Sequence, residues 1–484
     1  MKNKLLLFII ISITLLINSC QNTVKNPAGV KNPISNKIVE HPNKLKFPDI
    51  KVTIPKPERI ELDNGIILYL LEDHELPLIK VIARFKIGSI YDPQDKLGLA
   101  NITAHLMRSG GCKGFTAEDI DEKLEAIGGE LTVDADYEEI NFELFVLKED
   151  LEIGLEIFSN ILTNPSFNKE KLDFEKRHVA ESFRRQNENS GSIAYRKLRK
   201  AVYKEHPYGN QVIGTPKTVE SITIKDVQSY YNKYIKPNNV FIGFSGDFYL
   251  KEMVDKIGEI FSEWKREEMT LPELPKLELN YKKSVNIVNK ELNQTSIIMG
   301  HIGVKRTTPE YFPLRVMNAI LGGSSASRIY HTVRKEHGLT YSIWSYFIMP
   351  DNLGMFVVRT DTKNESVGQA TELILAEINK MRNEPVTDAE LRHTKESTLN
   401  SFVFRFTDSS KIVSMYIYIE LLKLGDDYLE TYCDDVMKVT KEDIQRVANK
   451  YLHPDNFIYM FVGNEKEIAE QVNELGPVNI LPLD

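Results

Sequence analysis

The sequence predicts an α+β fold built twice: two homologous domains, each a largely antiparallel sheet with helices packed on it. Three observations carry that expectation. At 484 residues, with 42% hydrophobic and 27% charged side chains, the chain can bury two ordinary cores. Strand-like and helix-like runs come in blocks and not in strict alternation, which fits helices laid on an antiparallel sheet. One stretch also recurs at a fixed offset. Asp226-Val227 through Asn232-Lys233-Tyr234-Ile235-Lys236-Pro237-Asn238-Asn239, with an apolar strand ending at Gly246, is matched by Asp443-Ile444 through Asn449-Lys450-Tyr451-Leu452-His453-Pro454-Asp455-Asn456, with an apolar strand ending at Gly463; the offset is 217 residues throughout. An amphipathic helix, a proline turn and a buried strand therefore occur twice in one register. Asn164-Pro165-Ser166-Phe167 and Glu384-Pro385-Val386-Thr387 repeat the pattern more loosely. The two domains are expected over residues 57–270 and 275–484.

The chain opens with Lys2 and Lys4, then an apolar run from Leu5 to Ile17 broken only by Ser12 and Thr14, then Asn18-Ser19-Cys20. A charged start, a short apolar core and small or polar residues before the cut mark an export signal over residues 1–19, and the run is too short to span a bilayer comfortably. Cys20 stands where a bacterial lipobox has its acylated cysteine, although Asn18 departs from the small residue usual before it; an uncleaved anchor helix is the alternative. A lipoprotein of the cell envelope follows, facing the periplasm or the surface, with Gln21 in place of an aspartate tilting the expectation toward the outer membrane. Two or three acyl chains anchor stably where one does not. Residues 20–56, rich in Asn, Lys and Pro without an apolar period, are expected to be a flexible tether.

Cys20, Cys112 and Cys433 are too few and too scattered for a disulfide framework or a four-cysteine zinc site. The formal charge is −8, and near −10 without the two leader lysines. No basic stripe offsets it, which argues against a nucleic-acid partner.

In the first half, Ile66 to Leu71, Leu78 to Phe85 and Leu131 to Val146 have strand periodicity, and Leu99 to Arg108, Ala117 to Ile127 and Lys169 to Arg185 have helical periodicity. Thr116 is suited to an N-cap and Gly128-Gly129 to a helix stop.

Gly98-Leu99-Ala100-Asn101-Ile102-Thr103-Ala104-His105-Leu106-Met107, Lys113-Gly114-Phe115-Thr116, Leu124-Glu125-Ala126-Ile127-Gly128-Gly129 and His206-Pro207-Tyr208-Gly209 together resemble the pitrilysin/insulinase family of zinc peptidases, from about residue 57 to the C-terminus. The resemblance implies that the two domains are arranged as a clam-like pair. That family carries an inverted motif, His-x-x-Glu-His, on its first long helix. Two histidines four apart share a helix face and both reach zinc, the glutamate between them polarises the metal-bound water, and a glutamate from a later helix is the third ligand. With Gly98-Leu99-Ala100 as anchor, Asn101 stands at the first histidine, Ala104 at the base and His105 at the second histidine; Val179-Ala180-Glu181-Ser182-Phe183-Arg184 places Ser182 at the third ligand. Two of three ligands and the base are missing, so the resemblance implies that this chain binds no metal and is inactive alone. The rescue to weigh is His178 with Glu181, three apart on the later helix; Ala104 still leaves that arrangement without a base.

The second half stays closer to the family. Gly322-Gly323-Ser324-Ser325-Ala326-Ser327-Arg328 and Val333-Arg334-Lys335-Glu336-His337-Gly338-Leu339-Thr340-Tyr341-Ser342 put Arg334 and Tyr341 where the family has an arginine and a tyrosine that reach toward the substrate carbonyl, a role their donors suit. Glu130-Leu131-Thr132-Val133 begin what the resemblance makes an edge strand onto which a peptide adds, although the family has Asn-Ala at Thr132-Val133. Some bacterial members divide the work between a zinc-bearing chain and one that lacks the motif and supplies the arginine and tyrosine. The resemblance therefore implies a non-catalytic, substrate-holding subunit of a heteromeric zinc metalloendopeptidase, its zinc carried by a homologous partner, acting on peptides outside the cytoplasm. The alternative is a stand-alone peptide- or protein-binding envelope lipoprotein.

Overall fold

Two six-stranded sheets account for the strand-like periods. A computed structural model describes residues 53–484 apart from 278, 280, 281 and 484; the expected signal peptide, Cys20 and nearly all of the expected tether lie outside the described residues. The first half contributes β1 (Glu58–Glu61), β2 (Ile67–Glu72), β3 (Leu78–Phe85), β4 (Glu130–Ala135), β5 (Ile140–Leu147) and β6 (Val240–Gly246), in spatial order β1-β2-β6-β3-β5-β4. The second contributes β7 (Ser284–Asn289), β8 (Gln294–Ile302), β9 (Ile343–Ile348), β10 (Met355–Lys363), β11 (Ile458–Gly463) and β12 (Val478–Leu481), in order β12-β7-β11-β8-β10-β9.

The two orders superimpose when β6 is matched to β11, the strands 217 residues apart. Pairing is antiparallel except where β2 meets β6 and where β7 meets β11 and β12. These parallel pairs join strands far apart in sequence, because a parallel neighbour needs a long crossover. The run from Leu131 to Val146 resolves into the hairpin β4–β5, with Ala135 opposite Ile140.

The helices of the first half are α1 (Leu99–Ser109), α2 (Ala117–Ala126), α3 (Leu151–Thr163), α4 (Lys169–Glu188), α5 (Ser190–Tyr203), α6 (Pro216–Glu220), α7 (Ile224–Tyr234) and α8 (Leu250–Ile260). Thr116 caps α2 in a reciprocal box with Asp119, as its position predicts. The second half has α9 (Tyr311–Leu321), a π-helix at Tyr330–Glu336, α10 (Val367–Asn383), α11 (Asp388–Val403), α12 (Ser409–Leu421), α13 (Tyr428–Lys438), α14 (Lys441–Tyr451) and α15 (Glu465–Ile468). The repeat reaches down to single hydrogen bonds. Thr223 with Asp226 starts α7, and Thr440 with Asp443, 217 positions later, starts α14 with the same capping box.

The halves also exchange a helix, which nothing in the hydrophobic pattern announces. α5 of the first half packs on β8 and β11 of the second sheet, and α12 of the second half packs on β2 and β6 of the first. Ile193, Ala194 and Leu198 of α5 are buried among Ile298, Met355, Met460 and Val462. Gly243 on β6 makes room for α12, since a Cβ there would stand 2.3 Å from Val413 Cγ1. Arg59 forks onto Glu420 at 2.7 and 2.9 Å, and Lys80 meets Asp408 at 3.0 Å across the same contact. Val52–Asp484 accordingly hold together as one compact unit.

A polar clamp closes this exchange near the β4–β5 turn. Glu138 accepts hydrogen bonds from the Tyr208 hydroxyl and from the backbone N–H of Asp351, the latter at 3.1 and 3.3 Å. Burial, with Asp351 and Glu139 adding like charge, pushes the Glu138 carboxyl up to about 7. Among the described residues no helix is long and apolar enough to cross a membrane.

Candidate functional site

The site begins at the entry to α1. Gly98 adopts φ +98°, a conformation side chains avoid, and the Asp92 carboxylate accepts hydrogen bonds from Gly98 N at 2.8 Å and Ala100 N at 2.9 Å. Asp92 thereby closes the helix N-terminus; full burial pushes its carboxyl up to about 8 against those donors. No cap signal adjacent to the helix could have revealed it, because the acid lies six residues before Gly98 in sequence.

Along α1, Asn101 is 7% exposed and Ala104 is fully buried in the first core, while His105 is half-buried. His105 lies near enough to Asp134 on β4 for its charge to oppose the burial that pushes Asp134 up. α4 packs beside α1, and Ser109 Oγ donates to Glu175 at 3.0 Å. The buried stripe of α4 runs Leu172, Glu175, Val179; one further turn brings Ser182, half-buried, onto that face. Glu181 points elsewhere. Both of its oxygens take the Arg184 fork at 2.9 Å, and His178 is exposed.

These residues do not fit zinc. Among the described residues no three His, Cys, Asp or Glu side chains stand together as ligands, and Ala104, which the resemblance aligns with the base, contributes a methyl group packed in the core. The arrangement of His178 with Glu181 does not assemble, since the carboxylate is committed to Arg184 on the solvent side.

Among the described residues β4 is an edge of the first sheet, paired with β5 alone. Glu130 and Thr132 are exposed, Leu131 is buried and Val133 is half-buried. Arg108, at the end of α1, donates to the Leu131 carbonyl at 2.9 Å and to Asp121 at 2.8 Å. That carbonyl therefore faces away from β5, and by the two-residue alternation so do the main-chain groups of Val133. An incoming strand thus finds Val133 open and Leu131 partly taken. The guanidinium of Arg108 was not legible in the sequence, because its partner is a backbone atom on another element.

Arg334 and Tyr341 come together. The π-helix ends in a turn at Gly338, φ +65°, with Leu339 N bonded to Val333 O at 3.0 Å. Thr360 Oγ1 donates to Thr340 Oγ1 at 2.8 Å, fixing the next residue's backbone. The Arg334 guanidinium carbon then sits 5.3 Å from the centroid of the Tyr341 ring. Tyr341 is 86% exposed, while Arg334 Nε is buried without a partner. A phenol and a guanidinium are thus held side by side, both with free donors, and the ring projects into solvent.

Residues 73–216 match the model of the insulinase family, peptidase family M16, and residues 221–398 match that of the peptidase M16 inactive domain. The chain belongs to peptidase family M16. Among its M16 relatives, a Bacillus subtilis protein called uncharacterized zinc protease YmxG is 23% identical over 82% of this chain and 96% of its own length. A Helicobacter pylori protein called non-peptidase homolog YmxG is 23% identical over 82% of this chain and 91% of its own. The crystal structure of a peptidase M16 inactive domain from Pseudomonas fluorescens has the same fold, with a TM-score of 0.78 and 23% identity over 84% of this chain and 98% of that one. A protease from Helicobacter pylori also gives a TM-score of 0.78, with 20% identity over 85% of this chain and all of that one. The two-sheet α+β architecture is therefore that of solved M16 proteins.

Proposed function

We propose that this M16 chain is the non-catalytic, substrate-holding subunit of a heteromeric zinc endopeptidase, anchored through Cys20 and acting on peptides outside the cytoplasm. The observation that carries the proposal is a contrast within one molecule. The positions that only hydrolysis needs hold Asn101, Ala104 and Ser182, whereas Arg334 and Tyr341 are presented side by side with unspent donors. A ring 86% exposed gains little from burial, and its position favours contact with something outside the chain. The non-peptidase designation of the Helicobacter relative is consistent with this division of labour.

In this scheme the zinc, the base and the nucleophilic water belong to a homologous partner. This chain supplies the open edge of β4 for strand addition and two donors for the substrate carbonyl. The test is reconstitution with a zinc-bearing M16 chain from the same cell envelope. Tyr341→Phe and Arg334→Ala should each lower turnover by at least roughly tenfold, since one lost oxyanion donor typically costs about 3–4 kcal/mol. Size-exclusion elution should show association unchanged. Wild-type turnover in both variants, or no zinc-bearing partner on co-purification from the native membrane, would leave peptide holding on β4 as the function.

A further inference from the structure

One cavity has a wall that includes neither β4 nor Arg334. It lies between α12 and α9, with Arg84 of β3 in its wall, and has a volume of about 640 Å³, with a compartment of about 470 Å³ adjoining it through shared walls at Arg306, Tyr311, Arg315 and Tyr418. The volume falls in the range of about 300–1,000 Å³ common to small-ligand sites. Its walls carry Arg84 from β3, Arg306 after β8, Arg315 on α9, Arg405 after α11 and Lys411 on α12, and no carboxylate. In a chain of net charge −8 this is a local reversal of sign.

These cations are short of counterions. Other cations of the second half and of its contact with the first pair with acids: Arg328 with Glu390, Arg446 with Glu310 and Lys80 with Asp408. Among the described residues no carboxylate oxygen pairs with any of the five. Glu139 lies within the field of Arg84 but also feels Lys86, Asp136 and Asp351.

Arg306 is only 5% exposed. It lies 3.5 Å from the Tyr311 ring centroid and donates to the hydroxyls of Tyr418 at 3.2 Å and Tyr428 at 2.7 Å. Arg315 donates to the Tyr311 hydroxyl at 3.2 Å. The Nε atoms of Arg84 and Arg315 are buried with no partner. Burying a guanidinium is costly unless an anion or a full set of acceptors meets it. Tyr311 registers the uncompensated field: burial alone would raise its phenol, yet Arg315 and Arg306 bring it below the ordinary value.

We infer that this cavity is an oxyanion site that binds a carboxylate-bearing peptide segment, with the guanidiniums taking the carboxylates and the tyrosine faces taking adjoining apolar surface. The cations share the lining with Tyr311, Tyr418, Tyr428, Met415 and the exposed ring of Phe404, a mixture that suits a ligand carrying both charge and apolar surface better than a compact inorganic anion. Arg84 comes from the first half and the other four cations from the second, so an occupant bridges the halves. The inference does not rest on the proposed partnership, because it concerns this chain alone.

The test is fluorescence anisotropy on the full-length chain in detergent, with three N-terminally labelled octapeptides. One ends in Phe-Glu-Glu with a free carboxylate, the second is the same peptide amidated, and the third ends in Phe-Gln-Gln amidated. The acidic peptide should bind at least roughly tenfold more tightly than the neutral one, as expected for hydrogen bonds to charged groups. The amidated acidic peptide tells a chain terminus from acidic side chains as the source. Arg315→Gln with Arg405→Gln should abolish the preference, and Lys411→Gln, at the exposed rim, should reduce it without disturbing any buried group. Equal binding of acidic and neutral peptides, a preference unchanged in both variants, or saturable binding of inorganic phosphate but of no peptide would overturn the proposal.

Discussion

Replacing Glu138 by glutamine should make the chain more stable at pH 8 and leave it unchanged at pH 4. The carboxyl titrates near 4.5 when unfolded and is pushed up to about 7 in the fold, chiefly by burial. Between those values the folded chain holds a proton that the unfolded chain has released, so stability falls as pH rises through the window from 4.5 to about 7, and the loss is complete above it. Each tenfold change in the proton equilibrium is worth about 1.4 kcal/mol, which sets the loss at no more than about 3 kcal/mol for a group partly reached by water. Glutamine carries no ionisable proton, and its carbonyl can still accept from the Tyr208 hydroxyl and from Asp351 N. With an unfolding entropy of about 2.1 cal/mol/K per residue, a unit of this size should gain up to about 3 °C from that change. Thermal melts of both proteins at pH 4 and pH 8 provide the assay. A variant that loses stability at pH 8 would show that the two donors to the ionised carboxylate outweigh the cost of its burial, contrary to this reasoning.

Asn101→His combined with Ala104→Glu should bind no stoichiometric zinc by elemental analysis, because Ser182 leaves only two ligands, and the buried carboxylate at 104 should cost at least about 2 kcal/mol in a denaturant titration. Cys20→Ala should abolish fatty-acid labelling and leave an uncleaved precursor on a gel; unchanged processing would mean an ordinary signal peptide or an anchor helix. Gly243→Val should destabilise by at least about 1–3 kcal/mol, because its first added carbon already collides with Val413, and limited proteolysis should find α12 released from the first sheet.

Much of this was legible in the residues because it depends on short-range chemistry. The 217-residue repeat appears as two sets of helix, proline turn and strand, and Thr116 capped its helix as its position foretold, since an N-cap bond spans three residues. Asn101, Ala104 and His105 could be set against the family's motif through the resemblance anchored at Gly98-Leu99-Ala100. The rival pairing of His178 with Glu181 was open on spacing alone. It closed only when the buried stripe of α4 turned Ser182 inward and Arg184 took both carboxylate oxygens of Glu181.

By itself, then, the sequence determined the class of fold and its duplication, which follow from side-chain type at fixed local intervals. The tertiary structure decided what depends on contacts between distant segments. It sent α5 onto the second sheet and α12 onto the first, committed one edge carbonyl of β4 to Arg108, and stacked Arg334 against an exposed Tyr341. It also gathered Arg84 with four cations more than 200 residues away into one cavity, because charge becomes a site only when folding brings it within a few ångströms and removes the water that would have screened it.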